Sequence, residues 1–129
     1  MNTLDHISLG VPSIETARQF YDPAMEALGL SCMAANEAFA AYGKGAVQFL
    51  LMIPTDGEEY TRGNGTHVAF RAEATAAVDQ FHAVAIQHGG VCAGEPGPRP
   101  DYPASDVYTA FVRDPFGHKL EAIHNGFAA

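Results

Sequence analysis

Polar and apolar residues alternate over residues 5–11, and the spacing of apolar residues then changes to that of a helix. Because successive side chains of a strand point to opposite sides, this stretch predicts a strand with an apolar face and with His6 on the other face. Ser13 is a suitable N-cap, and apolar residues then recur at intervals of three and four. Gly29 is a typical helix end.

The same pattern returns about 60 residues later. His67 begins a second predicted strand, a second helix follows from about Thr75, and Gly89 and Gly90 end it. Short strand-like segments follow each helix, so each half has the order strand, helix, three strands. We therefore predict an α+β fold of two βαβββ modules in a single domain, residues 1–129. The modules are expected at about 1–54 and 67–126, with a linker at about 54–66. An open four-stranded α+β sandwich without repeat symmetry is the alternative.

Residues 108–123 predict a hairpin, because Pro115 and Gly117 are typical turn residues. A four-residue turn would bring Glu121 opposite Ala110. Tyr108 and Lys119 would then share the face of Glu121. A carboxylate on a strand face is costly to bury alone, so we expect Glu121 to have a cationic partner.

Residues 94–103 contain four prolines, which excludes a central strand there. Irregular loops on a rigid scaffold often contribute to binding sites. Arg99 and Tyr102 lie in this loop and are candidates to close over an anionic or oxygen-rich substrate.

The net charge of −8 argues against nucleic-acid binding, because no basic surface is available to neutralise phosphates. The sequence has no apolar run long enough to cross a membrane and no signal-peptide pattern, so a cytoplasmic location is expected. Cys32 and Cys92 lack the close spacing of a zinc-binding pair and are expected to be buried free thiols.

The period of two places His6, His67 and Glu121 on the sheet face that the helices do not cover. Two imidazoles and one carboxylate suit Zn, Fe, Mn, Co or Ni and leave coordination positions open for water and substrate. We therefore interpret these three residues as the ligands of a divalent metal whose identity the sequence does not define.

His6, His67 and the closing segment 112–121 (VRDPFGHKLE) together resemble the vicinal oxygen chelate superfamily, which includes glyoxalase I, bleomycin-resistance proteins and extradiol dioxygenases. The resemblance covers residues 4–124 and is greatest to small bacterial glyoxalase-like proteins. It implies a cupped, eight-stranded mixed sheet with the helices on its outer face. It also implies metal ligands at His6, His67 and Glu121.

The chain departs from glyoxalase I at two positions. Phe49 aligns with the position of the fourth metal ligand and cannot coordinate, so we expect it to line the cavity instead. Gln48 would reach that position only through a register shift or a bulge. Gly10 occupies a position where a glutathione-binding arginine is expected. Both departures argue against glyoxalase I activity.

Two functions remain open at this point. The first is a metal-dependent lyase, transferase or dioxygenase that acts on a small, metal-chelating, oxygenated substrate. In that enzyme Glu121 and Tyr108 are the candidate catalytic residues, and the candidate substrate contacts are Phe49, Arg99, Tyr102, Tyr108 and Lys119. The second is a metal-independent protein that sequesters a ligand, as bleomycin-resistance proteins do. The resemblance implies a homodimer for either function.

Overall fold

The structure, a computed structural model that describes residues 3–128, consists of two consecutive βαβββ modules. The first module contains β1 (Ile7–Gly10), α1 (Ile14–Glu26), β2 (Ser31–Ala35), β3 (Phe39–Lys44) and β4 (Ala46–Met52). The second contains β5 (His67–Arg71), α2 (Thr75–Gln87), β6 (Val91–Pro98), β7 (Tyr108–Arg113) and β8 (Lys119–His124). The predicted α+β class and the repeated element order are confirmed.

Each module forms one mixed sheet of four strands. The strand orders are β1-β4-β3-β2 and β5-β8-β7-β6. In both sheets the first strand of the module runs parallel to the last one, and the remaining pairs are antiparallel. The strands that carry or adjoin the two candidate histidines, β1 and β5, are therefore edge strands of their sheets.

The helices cover one face of these sheets, as the amphipathic pattern requires. Ser13 caps α1 as expected, because its side-chain oxygen accepts a hydrogen bond from the amide of Thr16. Ala74 occupies the corresponding position of α2 and provides no side-chain cap. Neither helix, among residues 3–128, is long and apolar enough to cross a membrane.

Several contacts join the modules, including three that involve buried side chains. Tyr21 of α1 donates a hydrogen bond to Asp114, which lies in the hairpin of the second module. The His118 ring, next to that hairpin, is 2.6 Å from the carbonyl oxygen of Gly10. Phe49 and Phe70 pack edge to face with ring centroids 5.1 Å apart. The two cores are thus continuous, which is reflected in one cluster of buried apolar residues.

The register of the β7–β8 hairpin differs by one residue from the predicted register. The amide of Asp114 donates to the carbonyl of His118, and the turn therefore contains three residues instead of four. Gly117 has a φ of 93°, which fits the left-handed position that ends a three-residue hairpin. As a result, Glu121 lies opposite Phe111 and not opposite Ala110. A one-residue slip of this kind exchanges the faces of one strand.

The proline-rich segment is also more regular than predicted. β6 extends from Val91 to Pro98, although the sequence predicted an irregular segment from residue 94. Prolines are tolerated here because β6 is an edge strand and its pairing with β7 is interrupted twice. The exclusion of a central strand therefore agrees with the structure, whereas the start of the irregular loop does not.

Candidate functional site

The centre of the candidate site is a pair of side chains on the adjacent strands β5 and β8. His67 Nε2 lies 3.1 Å from Glu121 Oε1. The Glu121 carboxylate is almost completely buried, whereas the His67 side chain is 44% exposed. The sequence identified both residues, and the structure brings them together because β5 pairs in parallel with β8.

Thr109 of β7 orients the carboxylate from the other side. Its hydroxyl oxygen lies 2.7 Å from Glu121 Oε2 and 2.7 Å from the carbonyl oxygen of Ala122. A hydroxyl has one proton to donate, so these two acceptors share it. The arrangement fixes Glu121 while leaving Oε1 directed toward His67. Sequence reasoning missed Thr109, because the predicted hairpin register placed it on the opposite face.

The pair opens into a cavity of about 530 Å³, a size typical of small-molecule sites. Ile7, Phe49 and Phe70 contribute apolar surface, and the C-terminal segment around Phe127 closes one side. Arg71 also borders the cavity, and its guanidinium donates a hydrogen bond to the carbonyl of Ala128.

Phe111 and Lys119 lie beside the pair. The His67 and Phe111 rings have centroids 5.8 Å apart, and Lys119 Nζ is 4.9 Å from the centroid of the Phe111 ring. Lys119 is therefore on the face of Glu121, where the sequence placed it. A four-residue turn would have placed Phe111 on the other face of the hairpin, away from Glu121, and the three-residue turn accounts for its presence here.

Phe49 lies in the core while touching the edge of the cavity. Its side chain is 1% exposed and packs against Tyr21, Tyr42 and Phe70. The register places Ser8 beside Leu50 in the first module and Ala69 beside Glu121 in the second. Because Ser8 and Ala69 each lie two residues after a candidate histidine, Leu50 is the structural counterpart of Glu121.

A β-bulge explains why the sequence alignment gave Phe49 instead of Leu50. The β3–β4 register shifts by one residue at Gly43, which pairs with Val47, whereas β7–β8 pair without interruption. The extra residue in β4 is Gln48, which lines the cavity. Phe49 thus also lines the cavity, but from the helix-side face of its strand.

His6 does not join His67 and Glu121 within one chain. Its Nδ1 is 2.6 Å from the carboxylate of Asp5, and its side chain is 52% exposed. Within residues 3–128, the histidine, cysteine and carboxylate groups that cluster closely enough for a metal do not include these three together. Convergence of His6, His67 and Glu121 therefore remains a prediction.

Tyr108 occupies a different position from the expected one. Its hydroxyl donates a hydrogen bond of 2.6 Å to Asp79 of α2, so the side chain lies on the helix side of β7. This hydrogen bond raises the pKa of Tyr108 above its usual value. The one-residue shift in register accounts for the change of face.

Arg99 and Tyr102 are both in the loop that follows β6. The Arg99 guanidinium donates to the carbonyl oxygens of Glu95 and Gly97, each at 2.9 Å. Tyr102 packs near Phe127, with ring centroids 5.8 Å apart. Arg99 therefore binds the backbone of the preceding strand β6, whereas Tyr102 contacts Phe127, which lines the cavity.

The His67–Glu121 pair has a geometry that suits a divalent metal. Ligand atoms about 2.1 Å from a metal and about 90° apart are separated by about 3.0 Å. The observed separation of 3.1 Å is that of a hydrogen bond between the two side chains and is also compatible with this spacing. The hydrogen bond from Thr109 is the kind of outer contact that orients a metal-binding carboxylate. Two candidate ligands are thus adjacent in one chain.

Comparison with known proteins gives a family match over most of the chain. Residues 3–122 match the family described as the glyoxalase/bleomycin resistance protein/dioxygenase superfamily. No curated protein matches the sequence significantly.

Solved structures with the same fold include one that is also substantially similar in sequence. A glyoxalase/bleomycin resistance protein from Albidiferax ferrireducens T118 is 34% identical, with a TM-score of 0.88, and the match covers 95% of this chain and 99% of that one. A glyoxalase-related enzyme from Fulvimarina pelagi is 20% identical with a TM-score of 0.74, covering 97% and 89% of the two chains. A glyoxalase I mutant from Zea mays is 22% identical with a TM-score of 0.71, covering 93% of this chain and 45% of that one.

Proposed function

Because the chain belongs to the glyoxalase/bleomycin resistance protein/dioxygenase superfamily, we propose that it is a divalent-metal-dependent enzyme. The substrate would be a small molecule with two adjacent oxygen atoms that chelate the metal. The observation that supports this proposal most is the spacing of His67 and Glu121, whose donor atoms are 3.1 Å apart at the wall of a cavity.

In this proposal, His67 and Glu121 hold a metal that supplies Lewis-acid chemistry. Thr109 keeps Glu121 in a fixed orientation. Lys119 provides a positive charge near developing negative charge on a substrate oxygen, and Phe111 confines the substrate next to His67. The apolar walls exclude water, which strengthens these electrostatic interactions.

We further propose that the protein is a homodimer in which the partner's His6 completes the ligand set. Two observations support this arrangement. β1 and β5 are edge strands, and edge strands are commonly covered or paired. The hydrogen bond between His6 Nδ1 and Asp5 leaves Nε2 as the ring nitrogen available to a metal.

Metal binding by His67→Ala and Glu121→Gln proteins tests the site. We expect each substitution to weaken binding of Zn, Mn, Co, Ni or Fe(II) at least tenfold. His88→Ala is the matched control, because His88 is an exposed histidine at the end of α2. These measurements are made with Cys92→Ser protein, because Cys92 is an exposed free thiol that could bind metal independently of His67 and Glu121. Unchanged affinity in both folded variants would exclude the proposed ligand set.

Mixing His6→Ala protein with Glu121→Gln protein tests the dimer. If each site combines residues of two chains, random exchange restores about a quarter of the sites. If each site lies within one chain, no sites are restored. Light scattering of the unmodified protein gives the oligomeric state independently, and a monomer at micromolar concentration would contradict the dimer.

A metal-independent binding protein is the second candidate, and the apolar character of the cavity wall favours it. Phe49, Phe70 and Phe127 would suit an aromatic ligand. Turnover of hemithioacetals, catechols or epoxides by metal-loaded protein would support the enzyme. Tight binding of an aromatic ligand, with the same affinity after chelation of all metal and without turnover, would support the binding protein.

A further inference from the structure

A second group of metal-binding side chains lies on the outer side of the second module, between α2 and β6. His82 Nε2 is 3.2 Å from Cys92 Sγ, and Cys92 Sγ is 3.4 Å from Glu95 Oε1. All three donor atoms lie within 4.8 Å of one another. The expectation of two buried thiols is therefore wrong, because Cys92 is exposed and Cys32 is only partly buried, although both are free cysteines.

We propose that His82, Cys92 and Glu95 form a binding site for a borderline-soft divalent cation such as Zn²⁺. Imidazole, thiolate and carboxylate are the ligand types that zinc uses in proteins. At ordinary zinc–ligand lengths, a tetrahedral site separates a sulfur from a nitrogen or oxygen ligand by about 3.6 Å. The observed separations are close to this value before any metal is added.

A β-bulge makes this arrangement possible. Residues 92 and 95 would point to opposite faces of a regular strand, because side chains alternate. The β6–β7 register shifts between Cys92, which pairs with Val112, and Gly94, which pairs with Phe111. This extra residue returns Glu95 to the face of Cys92, toward α2.

Two further features prepare the site. His82 lies on the face of α2 that packs on the sheet, and only 9% of its surface is exposed. Arg99 donates to the backbone carbonyl of Glu95, which fixes the irregular part of β6. The ligands thus come from two elements whose relative position is already determined by the core.

The charges of the three ligands match a divalent ion. Binding requires the thiolate form, so the thiol proton of Cys92 is released to solvent as the metal–sulfur bond forms. One thiolate, one carboxylate and one neutral imidazole then balance the charge of +2. A water molecule would occupy the fourth tetrahedral position, because the site is at the surface.

The first module contains a natural comparison. Cys32 lies before an equivalent shift in register in β2, between Cys32 and Ala34. Ala35 stands where the second module has Glu95, and Tyr21 stands 61 residues before His82. The Cys32 thiol donates to the carbonyl of Ala34 at 3.6 Å. The same backbone irregularity therefore occurs there without the carboxylate and the imidazole.

Cobalt substitution tests the proposal separately from the metal site of the proposed enzyme. The test uses full-length protein carrying His67→Ala and Glu121→Gln, reduced with a phosphine that does not bind metals. A cysteine ligand produces a sulfur-to-cobalt charge-transfer band in the near ultraviolet, and His6, His67 and Glu121 contain no sulfur. We expect this band at one equivalent of Co²⁺, and we expect Zn²⁺ to displace the cobalt.

Matched variants assign the ligands. Cys32→Ser should retain the band, Cys92→Ser should abolish it, and His82→Gln and Glu95→Gln should each weaken cobalt binding at least tenfold. Alkylation of the parent protein provides a measurement without substitution in this cluster. Zn²⁺ should slow the labelling of Cys92 at least tenfold and leave that of Cys32 unchanged. Absence of the band, its persistence in folded Cys92→Ser protein, or equal labelling with and without Zn²⁺ would overturn the proposal.

Discussion

The two modules share one scaffold but differ in the chemistry that they place on it. Both have the same element order and the same strand order. In the second module, Glu121 lies on the cavity face of the last strand and accepts a hydrogen bond from Thr109. In the first module, Leu50 is at the position equivalent to Glu121, and Phe39 is at the position equivalent to Thr109. The apolar pattern therefore preserves the fold, and a few positions on the open face determine which polar side chains line the cavity.

The two helices also differ in what their equivalent residues contact. Tyr21 of α1 is completely buried and joins the modules through Asp114. His82, at the corresponding position of α2, instead contacts Cys92. The first module thus contributes an interior anchor, whereas the second module has an imidazole next to an exposed thiol. Differences at equivalent positions indicate which residues serve structure and which are available for binding.

The largest effect that we expect comes from loss of the anchor. Asp114→Ala removes the acceptor for Tyr21 and for the amides of Phe116 and His118. It leaves a buried hydroxyl and two amides without this partner, so the free energy of unfolding should fall by about 3–5 kcal/mol. Urea denaturation measures the change.

Lys44→Ala is the control for Asp114→Ala, because Lys44 adjoins the equivalent turn of the first module. Its side chain is 70% exposed, and its ion pair with Glu73 is long, at 3.5 Å. We expect a change below about 0.5 kcal/mol. Similar losses of unfolding free energy for the two variants would contradict the expectation that the turn of the second module contributes more to stability.

Tyr21→Phe should have the next largest effect on stability. It removes the hydroxyl that donates to the buried Asp114 carboxylate while preserving the ring packing against Phe20 and Phe49. Hydrogen bonds to charged groups stabilise proteins by about 1.5–3 kcal/mol, and we expect a loss in this range. Thermal or urea denaturation measures it, and an unchanged midpoint would show that Tyr21 does not anchor the second module.

Stability should also fall at high pH. Burial raises the pKa of Tyr21 well above its usual value, and the negative charge of Asp114 adds to this effect. The unfolded chain therefore loses this proton first, so the contribution is complete below about pH 10 and decreases as the pH rises above that value. The stability of Tyr21→Phe protein should decline less steeply between pH 10 and 11.5. Equal slopes in urea denaturation would contradict the assignment.

Thr109→Val should have a smaller effect on stability and a specific effect on the candidate site. Loss of the hydroxyl leaves Glu121 Oε2 and the Ala122 carbonyl without this donor, at a cost of about 1–2 kcal/mol. Metal affinity should fall about tenfold. Thr109→Ser should retain most of the affinity, because it keeps the hydroxyl. Equal affinities for the valine and serine variants would exclude the orienting role.

The smallest expected losses of stability come from substitutions of the two turn glycines. Gly45 and Gly117 have φ values of 78° and 93°, where other residues are strained. Gly45→Ala should cost about 1 kcal/mol. An added Cβ at Gly117 would lie 3.0 Å from Arg62 Cδ, so Gly117→Ala should cost slightly more. Urea denaturation of both variants gives the order, and a larger loss at Gly45 would contradict it.

Sequence patterns were sufficient for the repeated module, the two helices and the presence of His67 and Glu121 on the same face of the sheet. These features depend on local periodicity. In the second module, the parallel pairing of β5 with β8 then brings His67 and Glu121 into contact. Tyr108 and Phe111 could not be assigned correctly to faces, because a turn of three residues and a turn of four residues are both compatible with the Asp-Pro-Phe-Gly segment. A difference of one residue in the turn reverses the faces of β7.

The sequence by itself determined the fold class, the module order and the types of ligand available. Regular alternation and helical spacing carry this information locally, because burial of an apolar face requires it. Only the tertiary structure decided which ligands meet. The bulges in β4 and β6 are set by pairing between strands. The bulge in β6 brings Glu95 to Cys92. The bulge in β4 makes Leu50, and not Phe49, the counterpart of Glu121. Each bulge shifts the faces by one residue, and no local pattern encodes that shift.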